Sequence, residues 1–231
     1  MSAPRRLRTF LRENSLSLFF LVLFLVSLVG QAFAGWKQFN SMQVAEGLGT
    51  VPLDRYLLSA NFAVDVTENW QSEYLQFLTY LMATVWLLQK GSPESKPLDM
   101  AGRETQEEQR IGEHSRSDSP RWARHSGGLR LRLYSSSLLL VMGGIFLASW
   151  LMQSIGGWAT YNESRLQQLQ DPIPWTSYLV NADFWSRTLQ NWQSEFLAVG
   201  SMAVLAIYLR QRGSSQSKPV GMAHDVTGIE G

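Results

Sequence analysis

The chain has no cysteine among its 231 residues, so neither a disulfide framework nor a thiolate metal site is available to it. Histidine is nearly as scarce: His114, His125 and His224 all fall in polar stretches, which leaves no histidine-based metal site or nucleophile–His–acid triad inside a packed body. The glycines form no phosphate-cradling loop ahead of a basic helix start. No catalytic residue, metal ligand or cofactor is therefore assigned, and the chain reads as non-enzymatic. Charge of either sign is missing from the longest apolar run, Ser15 to Gly35. The formal net charge of +1 says little as a total; its placement carries the information.

What is present is grease in four blocks. Ser15 to Gly35 contains Leu16-Ser17-Leu18-Phe19-Phe20-Leu21-Val22 and onward, and 21 residues at about 1.5 Å each span roughly 31 Å, the thickness of a bilayer core. Trp70 to Gln89, Leu133 to Ser154 and Trp192 to Leu209 follow as further crossings, the second interrupted by Gln76, Thr79 and Thr84. Gly143-Gly144 in the third allows a close helix neighbour. The first helix is expected to run past Trp36 and break before Pro52, with a short cap helix after it. Asn69 is placed to cap the next helix through its side-chain oxygen. Residues 92–132 are rich in Ser, Pro, Glu, Arg, Gln and Gly and read as a disordered linker. The arginine-rich run Arg116 to Arg132, with acids nearby, reads as a topology signal and not a nucleic-acid site.

Counting Lys and Arg by segment sets the threading. Residues 1–14, the stretch Lys90 to Arg132 and the C-terminal end carry 16 of the 20, and the two remaining loops carry Lys37, Arg55, Arg165 and Arg187. Basic residues collect in cytoplasmic loops, so both termini and the linker are expected inside.

A phrase recurs. Asn69-Trp70-Gln71-Ser72-Glu73 returns as Asn191-Trp192-Gln193-Ser194-Glu195, an offset of 122 residues. At that offset Ser15 meets Ser137, Gln31 meets Gln153, Gly35-Trp36 meets Gly157-Trp158, and Asn40 meets Asn162. Pro52 then meets Pro174, Tyr56-Leu57 meets Tyr178-Leu179, Phe62 meets Phe184, and Ser95-Lys96-Pro97 meets Ser217-Lys218-Pro219. A repeated two-crossing unit implies two copies of the same orientation, related by an axis along the membrane normal. The repeat also bears on the N-terminal run. Its basic start and Ala32-Phe33-Ala34 fit a cleavable signal peptide, but its counterpart is internal, which favours a retained helix.

The order Gly-Trp, Asn, Tyr-Leu, Asn-Trp-Gln-Ser-Glu and a closing Gly-Ser-x-x-Ser-Lys resembles a family of small bacterial integral membrane proteins grouped as a domain of unknown function. The resemblance implies a bacterial inner-membrane setting and no activity.

The expected fold is an all-α membrane protein of four transmembrane helices from a tandem duplication, with short helical outer caps. Its parts are a basic tail 1–14, repeat one 15–91 (helices 15–35 and 70–89), linker 92–132, repeat two 133–213 (helices 133–154 and 192–209) and tail 214–231. Glu73 and Glu195, each a turn inside a helix, form with Asn69, Asn191, Gln31 and Gln153 a candidate polar cluster for a proton or cation, since intramembrane acids are costly and often functional. Trp36, Trp70, Trp158 and Trp192 are candidate interfacial anchors. The expected partner is the lipid bilayer, with no nucleic acid, and the expected role is structural or accessory in the envelope. The alternative is a small transporter or channel subunit using the two acids.

Overall fold

The computed structural model describes residues 3–125 and 127–228. Among these every regular element is helical and no strand occurs. The chain divides into two compact units, Met1–Ala63 and Val64–Gly231.

The first unit holds α1 (Ala3–Glu13), α2 (Ser15–Ala45) and α3 (Leu53–Leu57). The basic tail is thus a helix, because Leu7, Phe10 and Leu11 recur at helical spacing and the arginines take the other positions. It breaks from α2 at Asn14, whose side-chain amide donates to the Phe10 carbonyl at 2.8 Å. α2 runs ten residues past Gly35, and none of its 31 residues is buried. It stops in a tight cap: Gly47 takes φ +76°, and the Leu48 amide reaches back to the Gln43 carbonyl at 2.8 Å. Pro52, extended at φ −68° and ψ 156°, then starts α3.

α4 (Ala60–Trp86) leads into the second unit, which also contains a single 3-10 turn at Gly112–His114, α5 (Leu129–Ser135), α6 (Ser137–Gln167), α7 (Trp175–Tyr178) and α8 (Ala182–Tyr208). The helix bounds recur at the repeat offset: 15–45 against 137–167, and 60–86 against 182–208. α4 and α8 begin ten residues before the expected starts at 70 and 192. Composition changes there but periodicity does not, since Val64, Thr67 and Gln71 continue one buried stripe on α4. Asn69 is therefore no cap. It sits mid-helix and its amide donates to the Asp65 carbonyl at 3.0 Å. The cap that does form belongs to Asn181, whose oxygen accepts the Asp183 amide at 2.9 Å.

The described residues of the expected linker tract form turns and irregular segments with the 3-10 turn among them, and its last residues, 129–132, lie in α5. Of the expected glycine pair, Gly143 receives Leu78 of α4, whose methyl would stand 3.4 Å from an added Cβ, while Gly144 faces open space.

Two helices, α2 and α6, are long and apolar enough to cross a membrane; no other described helix is. The interior of the second unit is unusually polar. Thr67, Gln71, Ser72, Ser149, Gln153, Ser154 and Thr188 are buried beside Val64, Phe146, Tyr178 and Phe184, while Leu138, Val141, Leu147, Phe196 and Leu197 are exposed.

Candidate functional site

Each cap is closed by side chains of one long helix. A residue before proline is held extended, so its backbone N–H and C=O lack a helical partner and must find others. In the first unit the Trp36 indole and the Asn40 amide donate to the Val51 carbonyl at 2.7 and 2.9 Å, and the Val51 amide donates to Asn40 Oδ1 at 2.7 Å. In the second, Trp158 and Asn162 hold Ile173 through the same three bonds, at 2.7, 2.9 and 2.9 Å. Asparagine here acts as a one-residue strand partner. Two of the four candidate anchor tryptophans, Trp36 and Trp158, thus hold the caps.

Under each cap a tyrosine is fully buried, Tyr56 and Tyr178. Gly35 and Gly157 admit them: a Cβ on Gly157 would stand 2.5 Å from the Tyr178 hydroxyl, and one on Gly35 would collide with that of Tyr56. Tyr178 packs on Tyr161 and Phe184 with ring centroids 5.5 and 5.7 Å away. Its hydroxyl donates to Asp183 Oδ2 at 2.9 Å. Burial first, then that carboxylate, push the phenol well above its ordinary range.

The second unit adds a charged network to this end. Arg187 meets Asp183 at 3.3 Å and Glu68 at 3.6 Å. Burial raises the Asp65 and Glu68 carboxyls above their usual values, with Arg187 opposing in both. No reading of single residues found this group, yet a signal existed: positions 65 and 187 correspond across the repeat and carry opposite charges.

The candidate polar residues divide. Glu195 has the Glu73 carboxylate as its charged neighbour, and the Ser72 hydroxyl donates to the Asn69 carbonyl at 2.9 Å. Glu73 itself is exposed and Glu195 half-buried. Asn69 and Asn191 turn back on the carbonyls of Asp65 and Arg187, at 3.0 and 3.1 Å, and do not extend the acid pair. Gln153 is buried and donates to Thr188 Oγ1 at 3.4 Å, while its oxygen has no hydrogen-bond partner. Gln31 lies half-buried on α2 in the other unit. Trp192 donates to Gln71 Oε1 at 2.7 Å, and Gln71 is fully buried, so this bond ties α8 to α4. Trp70 is 39% exposed.

At the other end of α4 and α8, the recurring Gly-Ser-x-x-Ser-Lys-Pro stretch folds alike in both copies. The Gln89 and Gln211 amides each donate to a serine hydroxyl, Ser95 and Ser217, at 2.9 Å. Lys96 then reaches the Gly102 carbonyl at 2.8 Å and Glu104 at 2.5 Å. Lys218 reaches the carbonyls of Gly91, His224 and Val226 at 2.6, 3.0 and 3.1 Å. Burial, with Arg210 nearby, pulls the Lys218 ammonium below its ordinary range, and Asp225 opposes this. These lysines collect carbonyls of the loops beyond α4 and α8, while the helix carbonyls of Ala206 and Ile207 are taken by Arg210 at 3.3 and 3.0 Å.

Among the described residues no group of three His, Cys, Asp or Glu could hold a metal ion. The arrangement defines an all-helical protein with two helices apolar enough to span a bilayer and a polar interior tied by side-chain bonds. The chain belongs to the family described as Domain of unknown function (DUF6766), which it matches over residues 7–229. No curated protein and no solved structure matches it.

Proposed function

We propose that the chain is a non-enzymatic, multi-pass protein of the bacterial inner membrane and a structural or accessory component of the envelope. It crosses the bilayer four times, with both termini and the 92–132 tract in the cytoplasm. The observation that carries this reading is α2, whose apolar length has no buried residue. Soluble monomers rarely leave so much contiguous apolar surface uncovered, and lipid is the solvent that accepts it. The polar residues of the second unit lie inside and the large aliphatics outside, the arrangement a bilayer demands. α4 and α8 fall short of α2 and α6 in apolar character, but at 27 residues each, about 40 Å of helix, their length allows a crossing that begins at Trp70 and Trp192 and leaves the earlier turns outside the bilayer core. The matching bounds of α2 with α6 and α4 with α8 support descent from one duplicated hairpin.

The test uses the missing cysteine. Single substitutions Ala45→Cys, Arg110→Cys and Gln167→Cys, each at an exposed site, are expected to label in intact cells from outside, from inside only, and from outside. Labelling of position 110 from outside, or a chain that stays soluble without detergent, overturns the reading.

A second reading, proton or cation passage using Glu73 and Glu195, draws on the electrostatic contact between the two acids. Glu73 is exposed, which supports a position at a rim over one within a cavity and so favours the structural role. Proton flux in liposomes that is unchanged by Glu73→Gln with Glu195→Gln removes the second reading.

A further inference from the structure

We propose that a cavity between α4 and α8, separate from the two rim acids, binds an organic cation: an ammonium bearing an aromatic or aliphatic substituent. Its volume is about 440 Å³, within the range of small-molecule sites. Gln76, Tyr80 and Glu94 line one side, and their counterparts at the repeat offset, Ala198, Met202 and Gln216, line the other. Phe77 and its counterpart Val199 complete it. Every lining residue is therefore paired with its equivalent, so the cavity lies where the two copies face each other.

The two sides have diverged in a consistent sense. The first copy supplies an amide, a phenol and a carboxylate; the second supplies a methyl, a thioether and a neutral amide. Glu94 is the only charged residue in the lining, and no Lys or Arg among the described residues pairs with it. The Tyr80 hydroxyl donates to it, which fixes one carboxylate oxygen and leaves acceptor capacity on the group. An anion is repelled by this lining, and one carboxylate with two amides falls short of the six to eight oxygens of a calcium site. A positive head beside Glu94, with the Phe77 ring in the lining for cation–π contact and its apolar body against Met202 and Val199, satisfies both sides at once. Tyr80 stands six residues before the end of α4, about 9 Å along the helix, and Glu94 comes from the loop beyond that end. The ligand enters from that end, the cytoplasmic one in the threading proposed above.

Calorimetric titration of the full chain in non-ionic detergent with benzyltrimethylammonium chloride tests this, with neopentylbenzene as the neutral isostere and benzoate as the anion. Saturable one-site binding is expected for the cation, at least tenfold tighter than for either comparison compound. Glu94→Gln, which keeps shape and an acceptor for Tyr80, is expected to weaken it tenfold or more, and Ala198→Phe to abolish it by filling the space. Glu73→Gln is expected to leave it unchanged. No saturable binding, equal binding of the neutral isostere to the wild-type chain, or full retention in folded Glu94→Gln overturns the proposal. The wild-type selectivity does not depend on any variant folding, and none of these outcomes bears on the cysteine labelling that tests the threading.

Discussion

Gly157→Ala is a small change with a large expected effect. The new methyl would stand 2.5 Å from the Tyr178 hydroxyl and 3.2 Å from its Cζ, both closer than van der Waals contact. The ring has nowhere to go: Tyr178 is 1% exposed, wedged against Tyr161 and Phe184, and tethered to Asp183. Overpacking of a tight interior costs about 1–3 kcal/mol. At about 2–4 °C per kcal/mol for a chain of this size, the thermal midpoint in detergent should fall by about 2–12 °C. Tyr178→Phe removes the oxygen that makes the closest contact and loses one hydrogen bond, about 0.5–1.5 kcal/mol. In that background Gly157→Ala should cost less than about 1 kcal/mol, because only the ring-carbon contacts at 3.2 and 3.3 Å are left to relax. Taking about 2 kcal/mol, the middle of the wild-type range, the cycle should give a coupling of about 1 kcal/mol or more, where unconnected sites add to within about 0.3–0.5 kcal/mol. Scanning fluorimetry of the four proteins reads it. Additive midpoints would refute the claim that this glycine exists to admit the tyrosine.

Three further outcomes follow from the same geometry. Leu169 takes φ +57° where the equivalent Gly47 takes +76°, and is 96% exposed; Leu169→Gly should raise the midpoint, since a left-handed L residue costs about 1–2 kcal/mol and glycine's extra chain entropy returns only about 0.5–1. Trp192→Phe leaves the buried Gln71 oxygen without its indole donor and should destabilise by about 1–3 kcal/mol, measured by urea-dependent loss of tryptophan signal. Asp65 and Glu68 have raised folded-state values, so the folded chain binds protons more readily than the unfolded one. Their contribution is full below ordinary carboxylate values and is lost as pH rises through the raised ones. Asp65→Asn with Glu68→Gln should therefore gain midpoint relative to wild type as pH climbs from 5 to 8; a constant difference across that range would sink the attribution.

The parts of the fold legible beforehand were those written as periodicity. The run from Ser15 and the break before Pro52 announce a helix and its stop through local chemistry, and α2 and α3 fall there; the third helix, expected over 133–154, is instead divided at Ser136 into α5 and α6, and α6 runs on to Gln167. The helix starts are less legible, because the change from polar to apolar composition at Asn69 and Asn191 resembles a start. Composition marks a change of surroundings, whereas Val64, Thr67 and Gln71 keep helical spacing through it. The loop after α4 was missed for a related reason. Serine, proline and lysine look like linker residues by type, yet the Ser95 hydroxyl accepts the Gln89 backbone amide and Lys96 holds the Gly102 carbonyl, bonds that depend on three-dimensional reach.

The site was less legible still, and the repeat explains why. Matching the two halves highlights what they share, and what they share is the clamp: Trp36 with Asn40, Gly35 with Tyr56, and their counterparts. Those residues recur because each copy must close its own cap, which is a folding requirement met twice. Residues that act between the copies have no reason to match and good reason to differ. Arg187 opposes Asp65 as its own counterpart, and the polar lining of Gln76, Tyr80 and Glu94 faces the apolar lining of Ala198 and Met202. Two identical walls around an axis would present two carboxylates to each other at close range, an arrangement like charges disfavour. One acid facing one neutral amide, as Glu94 and Gln216 do, removes that repulsion and leaves a single unbalanced negative charge. In a duplicated chain, then, the informative positions are the aligned ones that disagree, and Gln216→Glu should raise the apparent pKa of one carboxyl and make cation affinity fall steeply as pH drops, an outcome readable in the same titration.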